Sequence, residues 1–224
     1  MATLAPPRPA QREAFIIQYP ESDGLPMADN TLQFRWIVTL QGGLDSLYAD
    51  RPDIFVAGDL LWYPVEGDNK TRAAPDVLVA FGRPKGDRGS YLQWQEDHIA
   101  PQVVFEIISP GNTISEMTRK FGFYERYGVE EYYVYDPDRG DLSGWIRNEG
   151  RLEPVADMQG WVSPRLGIRF EMADDALKIY RPDGQLFETY TELANRAATE
   201  AKARQAAEVE LARVREELAR LRGE

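Results

Sequence analysis

The fold of this chain is decided by residues 74–136, which read APDVLVAFGRPKGDRGSYLQWQEDHIAPQVVFEIISPGNTISEMTRKFGFYERYGVEEYYVYD. Three apolar runs, each short enough for a β-strand, occur at residues 75–81, 101–109 and 132–135. A stretch with helical spacing, residues 115–127, stands between the second and third runs. This strand–helix–strand order predicts a right-handed crossover between parallel neighbours in one sheet. The second run is almost continuously apolar, which is typical of a strand covered on both faces.

Further elements flank this segment on both sides. The residues Asp29-Asn30-Thr31 supply helix N-cap chemistry before apolar positions at helical spacing, which predicts an amphipathic helix over residues 31–47. Short β-rich runs follow at residues 53–57 and 60–64, and glycine-punctuated runs over residues 142–180 indicate antiparallel additions. Together these elements predict an α/β domain with a mixed central sheet and flanking helices.

The C-terminal part of the chain has a different composition. After Gly184 it is rich in Ala, Glu, Arg and Leu, with no Gly or Pro before Gly223, which predicts a long helix. Apolar residues recur there at alternating spacings of three and four, the seam of a coiled coil, with a poorer middle section. The seam runs through Tyr190, Leu193, Ala197, Glu200, Arg204, Ala207, Leu211, Val214, Leu218 and Leu221. We expect this helix to form a homodimer or higher oligomer, or to bind another partner.

These patterns divide the chain into three parts. Residues 1–11 are proline-rich and predict a disordered arm, residues 12–185 form one globular domain, and residues 186–224 form the coiled-coil helix. The absence of cysteine excludes disulfides, thiolate zinc sites and a cysteine nucleophile. No apolar run is long enough to span a bilayer or to act as a secretory signal, so we expect no membrane association and a cytoplasmic location.

The charge balance disfavours a general nucleic-acid binder. The chain has 26 Lys and Arg against 37 Asp and Glu, a net charge of −11. Nucleic-acid-binding proteins usually carry a basic surface, because neutralising phosphates supplies much of their affinity. A local basic patch near the site described next would meet that need, and six residues are candidates for it. They are Arg83, Lys85, Arg88, Arg119, Lys120 and Arg126.

Two acids on apolar strands and one lysine on the following helix are the candidate functional residues. Asp76 precedes Val77-Leu78-Val79, and Glu106 interrupts the apolar run over residues 103–108. An acid on a core strand is costly unless it is paired or binds a metal. Two carboxylates and one backbone carbonyl suffice for Mg²⁺, and Lys120 could orient the attacking water or stabilise developing charge. The alternative is that the acids are paired or reach solvent and that the lysine lies on a solvated helix face.

The stretches of sequence around these candidate residues resemble a known family. The stretches APDVLVAF, VVFEIISPGNT and EMTRKFGFYERYGVEEYYVYDPD are similar to the Uma-two family of endonucleases, within the PD-(D/E)XK nuclease superfamily. The resemblance covers roughly residues 20–180 and implies a restriction-endonuclease-like domain over residues 12–185. It implies a metal-dependent endonuclease that hydrolyses DNA phosphodiester bonds. It further implies that Asp76, Glu106 and the Ile107 backbone carbonyl hold Mg²⁺ or Mn²⁺, and that Lys120 assists the water.

The sequence departs from the superfamily pattern in three places. Ile108 stands where a lysine is expected two residues after Glu106, and the resemblance implies that Lys120 takes that role from the helix. Glu116 occupies the position of the usual acid at the helix start, and its role is unassigned. Asp45 is the sole acid of the first predicted helix, and nothing in the sequence connects it to the site.

Two other functions are compatible with the sequence. The first is a catalytically inactive nuclease-fold scaffold that oligomerises, or recruits a partner, through its C-terminal helix; the acidic charge favours it. The second is a metal-dependent hydrolase that acts on a phosphoester other than nucleic acid.

Overall fold

The structure is a computed structural model that describes residues 17–24, 26–173 and 176–223. The disordered arm predicted for residues 1–11 lies outside the described residues. The first five residues of the predicted domain, 12–16, lie outside them as well.

The described residues form three α-helices, ten strands and one short 3-10 helix. In chain order these are α1 (Thr31–Leu47), β1 (Ile54–Gly58), β2 (Trp62–Tyr63), β3 (Val77–Phe81), β4 (Tyr91–Leu92), the 3-10 helix (Gln93–Gln95), β5 (Val103–Ile107), α2 (Ile114–Tyr127), β6 (Glu131–Asp136), β7 (Asp141–Asn148), β8 (Arg151–Pro154), β9 (Arg169–Ala173), β10 (Ala176–Tyr180) and α3 (Tyr190–Arg222).

A six-stranded mixed sheet is the centre of the fold. Its strand order is β1-β3-β5-β6-β7-β8. Strands β5 and β6 pair in parallel, and every other neighbouring pair in this sheet is antiparallel. The predicted mixed sheet and the predicted parallel pairing across the strand–helix–strand unit are therefore confirmed. Strands β7 and β8 extend the sheet as antiparallel additions, whereas β9 and β10 form a separate antiparallel pair.

Helices α1 and α2 cover opposite faces of this sheet. Residues Ile37, Leu40 and Leu44 of α1 pack in one core cluster with alternate residues of β3, β5 and β6. Tyr124 of α2 packs in the other cluster with the intervening residues, such as Val104. Because side chains alternate along a strand, Glu106 projects to the same face as Val104, toward α2.

Helix α1 has the bounds that the sequence predicts. The Asn30 side chain accepts a hydrogen bond from the Gln33 backbone N–H at 2.8 Å, so it satisfies one of the free donors of the first turn. The buried stripe of the helix is apolar at residues 37, 40 and 44, but it begins with the buried polar side chain of Gln33. This exception to the amphipathic pattern lies at the end of the sheet that carries the site.

Helix α2 begins one residue before its predicted start and ends where predicted. Thr113 caps its N-terminus by accepting a hydrogen bond from the Glu116 backbone N–H. Gly128 ends it at φ 95°, a left-handed conformation that suits glycine because it lacks a Cβ atom. With both ends fixed, the helix holds Lys120 and Tyr124, one turn apart, over the same part of the sheet.

Helix α3 is the long C-terminal helix that the composition predicts, and it begins at Tyr190. The Thr189 and Glu192 side chains form a reciprocal capping box at its N-terminus. None of its residues is buried, so its pairing with another helix stays a prediction at this point. Within the described part of the chain, no helix has both the length and the apolar character that crossing a membrane requires.

Candidate active site

A cleft of about 440 Å³ opens between the start of α1, the connection between β1 and β3, and α2. Asp76 and Lys120, two of the three predicted site residues, line it. The other charged residues of its wall are Asp23, Asp29, Asp59, Arg72, Glu116 and Arg119. The cleft wall therefore carries five acidic and three basic side chains.

The sheet register brings the two predicted acids together. Strands β3 and β5 are antiparallel, with Val77 opposite Phe105. Continuing this register by one residue places Asp76 opposite Glu106, with both side chains on the α2 face. Both residues are buried, with exposed fractions of 7% for Asp76 and 2% for Glu106. Two acids that are 30 positions apart in sequence thus become cross-strand neighbours in the domain interior.

Helix α2 supplies two partners to the Glu106 carboxylate. Lys120 Nζ donates to Glu106 Oε2 at 2.7 Å, and the Tyr124 hydroxyl donates to Glu106 Oε1 at 2.5 Å. Each carboxylate oxygen therefore has its own donor, and both donors come from one face of α2. The lysine packs back across the sheet, as the predicted site requires.

The Asp76 carboxylate is held by the backbone of the neighbouring strand. Its Oδ2 accepts a hydrogen bond from the Ile107 backbone N–H at 2.6 Å. The carbonyl of the same residue, which is the predicted third metal ligand, accepts a hydrogen bond from Gln33 Nε2 at 2.9 Å. Gln33 Oε1 in turn accepts from the Asp29 backbone N–H at 2.8 Å. The end of β5 is thereby joined to the start of α1.

Burial and mutual repulsion act on the protonation of the two acids. Burial, together with the nearby Glu106 carboxylate, raises the pKa of Asp76 well above its usual value, against the opposing effect of Lys120. Burial also raises the pKa of Glu106, although Lys120 and Tyr124 act in the opposite direction. Strongly perturbed carboxyl groups in a cleft are typical of functional sites.

Lys120 is a cation in this arrangement. Burial lowers the pKa of its ammonium group, but the carboxylates of Glu106 and Asp76 outweigh that effect, and the net pKa is raised. The side chain keeps 22% of its surface exposed, against 3% for the Glu106 side chain. Lys120 therefore carries its charge at the boundary between the buried acid and the open cleft.

Tyr124 and Gln33 are site residues that the sequence did not predict. Tyr124 stands four residues after Lys120, and this spacing on a helix places both on one face. Gln33 stands at the first position of the buried stripe of α1, where a polar residue breaks the apolar pattern. Both signals exist in the sequence, but each is equally compatible with an ordinary core or surface position.

Four of the six basic residues that were predicted near the site, Arg83, Lys85, Arg88 and Arg126, do not line the cleft, and that prediction was wrong for them. Arg83 and Arg88 both pair with Glu96, and Arg83 also pairs with Asp97. Lys85 pairs with Asp45, the sole acid of α1, at 2.6 Å. Arg83, Arg88 and Lys85 are used in ion pairs within the domain because acids approach them through tertiary contacts.

The remaining candidates are distributed unevenly. Arg119 lines the cleft, whereas the Arg126 guanidinium lies over the Tyr127 ring, 5.6 Å from its centre. Glu116, at the start of α2, lines the cleft and accepts a hydrogen bond from Asn112 Nδ2 at 3.3 Å. Asp59 adopts φ 48°. Its pKa is raised mainly by burial and, to a smaller extent, by the negative charge of Asp23.

The sequence profile described as "Uma2: Putative restriction endonuclease" matches residues 34–176, well over half of the chain. The chain belongs to this family. Among solved structures, it is similar to one titled as a putative nuclease belonging to DUF820, from Anabaena variabilis ATCC 29413. That similarity has a TM-score of 0.46 and 17% identity, and it covers 66% of this chain and 75% of the other. No curated protein sequence matches the chain.

The donor atoms of this Uma2-family site suit a hard divalent cation. Asp76, Glu106 and the Ile107 carbonyl all offer oxygen, the ligand type that Mg²⁺ and Mn²⁺ prefer. A carbonyl oxygen has two lone pairs, so the hydrogen bond from Gln33 leaves one for another partner. Among the described residues, no cluster of three or more His, Cys, Asp or Glu side chains could hold a metal ion. A site here consequently depends on two carboxylates and the backbone.

Proposed function

We propose that this protein is a metal-dependent endonuclease that hydrolyses DNA phosphodiester bonds. Its family carries the description "Putative restriction endonuclease", which supports a nuclease. The observation that carries the proposal is the pair of buried acids, Asp76 and Glu106, held side by side with the Lys120 ammonium at the cleft. Burying two like charges together is unfavourable, and such an arrangement is typical of a site that binds a cation.

We infer that Asp76, Glu106 and the Ile107 carbonyl would hold Mg²⁺ or Mn²⁺. When bound, such a metal polarises the scissile phosphate and lowers the pKa of a coordinated water. Glu106 shares its oxygens between Lys120 and Tyr124, so a cation near Oε2 would compete with Lys120 for that oxygen. This competition would leave the ammonium group free to turn toward the cleft that it already lines.

Lys120 stabilises negative charge in this proposal and does not take a proton from water. Its pKa is raised by the neighbouring carboxylates, so it remains protonated at neutral pH and lacks a free lone pair. A fixed cation beside the reacting phosphate is most effective where charge develops on the phosphate oxygens. The lysine can also orient the attacking water through hydrogen bonds from its ammonium protons.

Arg72 and Arg119 are the candidates for phosphate contacts in the cleft wall. The five acids of that wall would repel a polyanion unless a bound cation offset their charge. DNA binding in this cleft should therefore depend on the divalent metal as well as on the two arginines.

The direct test is cleavage of plasmid DNA and of single-stranded DNA in the presence of Mg²⁺ or Mn²⁺. The variants are Asp76→Ala and Lys120→Met, with Lys85→Met as a matched control because Lys85 pairs with Asp45 outside the cleft. Asp76→Ala and Lys120→Met should each lower the cleavage rate by about 100-fold or more, and the control should match the wild type. Equal rates in all four proteins would contradict the site assignment.

The rival proposal is an inactive nuclease-fold scaffold, which the acidic lining of the cleft and the net charge of −11 favour. Wild-type protein that cleaves no DNA with either metal would support it. A hydrolase for another phosphoester predicts a third result: metal-dependent hydrolysis of a small phosphodiester to an alcohol and a phosphate monoester, lost in Asp76→Ala, without DNA cleavage.

A further inference from the structure

Helix α3 presents an uncovered apolar stripe. It has 33 residues, about 50 Å at the usual helical rise, and none of them is buried. Seven of its large apolar side chains are exposed, and six of them lie on the seam predicted from the sequence. These six are Tyr190, Leu193, Leu211, Val214, Leu218 and Leu221, and the seventh is Val209.

Two charged residues interrupt this seam in its middle. In heptad notation Arg204 occupies an a position and Glu200 a d position. Within the single helix these side chains pair along the surface, Arg196 with Glu200 and Arg204 with Glu208. When two helices associate, however, a and d positions turn toward the partner helix and are removed from water. The charges at residues 200 and 204 therefore determine which arrangement of two helices is favourable.

A parallel pair of two copies would place like charges against each other. In that arrangement each a residue faces the same a residue, so Arg204 meets Arg204 and Glu200 meets Glu200. Two parallel copies would also gain attractive pairs at their edges, Glu210 with Arg215 and Glu217 with Arg222. Such exposed edge pairs contribute little, whereas uncompensated charges in the seam are strongly unfavourable.

An antiparallel pair removes this conflict because each a residue then faces a d residue. With the two-fold axis at Lys202, Arg204 of one copy lies opposite Glu200 of the other, and symmetry repeats the contact. The same axis places Arg196 near Glu210 of the second copy, another pair of opposite charges.

The apolar residues agree with the same axis. It pairs Ala207 with Ala197, Leu211 with Leu193, Val214 with Tyr190 and Leu218 with Leu186. Leu186 precedes α3 and is an exposed large apolar residue of the domain end, at 39% exposure. Ala201 and Ala203 flank the axis, and their small side chains allow the two backbones to approach closely.

We propose that α3 forms an antiparallel coiled coil with a second copy of this chain, centred on Lys202. The two nuclease-family domains then lie at opposite ends of the paired helices, with roughly 36 Å of helix between the two copies of Tyr190, because Tyr190 of one copy lies opposite Val214 of the other. The dimer follows from the charges and apolar residues of α3 alone, so it stands or falls independently of the proposed nuclease activity.

The absence of cysteine in the full chain allows a direct test by disulfide cross-linking. Full-length Leu193→Cys and Leu211→Cys, carrying tags of different size, are mixed, unfolded, refolded together and oxidised. The antiparallel dimer should give the mixed product, because residues 193 and 211 of different copies face each other. Products linking two copies of the same variant would show a parallel pair and overturn the proposal. Cross-link yields no higher than in dilute unfolded protein would overturn it as well.

A second measurement asks whether one substitution raises or lowers the dimer dissociation constant. Glu200→Ala leaves Arg204 of the other copy without its partner in an antiparallel dimer, so the dimer dissociation constant should rise about tenfold. In a parallel dimer the same change removes a repulsion, so the constant should fall. Glu216→Ala, on the outer face of α3, is the matched control and should change the constant less than twofold. Sedimentation of the wild type and the two variants measures the three dimer dissociation constants. A dissociation constant for Glu200→Ala that equals the wild-type value or lies below it would contradict the proposal.

Discussion

The ion pair of the cleft and the ion pairs of α3 use the same chemical groups in opposite environments. Lys120 and Glu106 meet at 2.7 Å with 22% and 3% of their side chains exposed, and both pKa values are shifted. Arg204 and Glu208 meet at 3.0 Å on α3 with 82% and 64% exposed. In water the charges are solvated and screened, whereas in the interior each charge depends on its partner. The comparison shows that burial, and not the presence of a pair, decides what a charge contributes.

The largest effect is expected when the buried pair is broken from the lysine side. Lys120→Met leaves the Glu106 carboxylate buried without a cation, which should lower the free energy of unfolding by about 3 kcal/mol. The double variant Lys120→Met with Glu106→Gln removes the stranded charge and should recover much of this loss. Urea denaturation at pH 7 measures both. A loss of stability below about 0.5 kcal/mol in Lys120→Met would mean that the Lys120–Glu106 pair contributes no more than the exposed pairs of α3.

A smaller loss of stability is expected when Glu106 keeps its ion pair with Lys120 but loses the hydrogen bond from the Tyr124 hydroxyl. Tyr124→Phe removes the hydroxyl that donates to Glu106 Oε1 and leaves that oxygen without a partner. The free energy of unfolding should fall by about 1–2 kcal/mol, the lower part of the range for an unsatisfied buried polar group. Tyr127→Phe, on the same helix, is the matched control and should show little change in urea denaturation. Equal stabilities for the two variants would show that the Glu106 contact contributes nothing.

Asp76→Asn should change stability in the opposite direction. The pKa of Asp76 is raised in the folded protein by burial and by Glu106, so the folded state holds its proton more tightly than the unfolded chain. For a raised acid, stability is greatest below the unfolded pKa and is lost as the pH rises toward the folded pKa. An amide has no proton to lose, and its oxygen can still accept from the Ile107 N–H.

The stabilisation by Asp76→Asn should therefore be on the order of 1 kcal/mol at pH 7. It should disappear below about pH 4, the usual pKa of an unfolded aspartate. Thermal unfolding of the two proteins between pH 3 and pH 8 tests this dependence. A variant that is less stable than the wild type at pH 7 would show that the Asp76 charge is favourable in the fold.

The smallest effect is expected on α3. Arg220→Ala removes an i,i+4 pair with Glu216 in which both side chains are largely exposed. The helix signal in circular dichroism should stay close to that of the wild type, and the free energy of unfolding should change by less than about 0.5 kcal/mol. A change as large as that of Lys120→Met would contradict the distinction between buried and exposed pairs.

The sequence predicts the framework better than the contacts. The bounds of α1 and α2 follow from local signals, such as the Asn30 cap and the αL glycine Gly128, and the structure confirms them to within one residue. The apolar run of β5 likewise predicts a strand covered on both faces. These features depend on neighbours in the sequence, and a single sequence contains that information.

The parts that were missed depend on residues far apart in the chain. Gln33 reaches the Ile107 carbonyl across 74 positions, and Lys85 reaches Asp45 across 40. Nothing local distinguishes a lysine that will line a cleft from one that will pair with a distant acid. The assignment of Lys85 to the site patch failed for this reason. Lys120 lies beside Glu106 because its helix immediately follows the strand of Glu106, and its catalytic role stays a prediction.

Calorimetric titration with Mn²⁺ tests most directly whether the two buried acids form a metal site. We predict that the wild type and the control Asp45→Asn bind Mn²⁺ with the same affinity, and that Asp76→Asn and Glu106→Gln each bind it at least about tenfold more weakly. Binding to the wild type should also release protons, because the raised pKa of Asp76 favours its protonated form before the metal binds. Equal Mn²⁺ affinity in all four proteins would contradict the account.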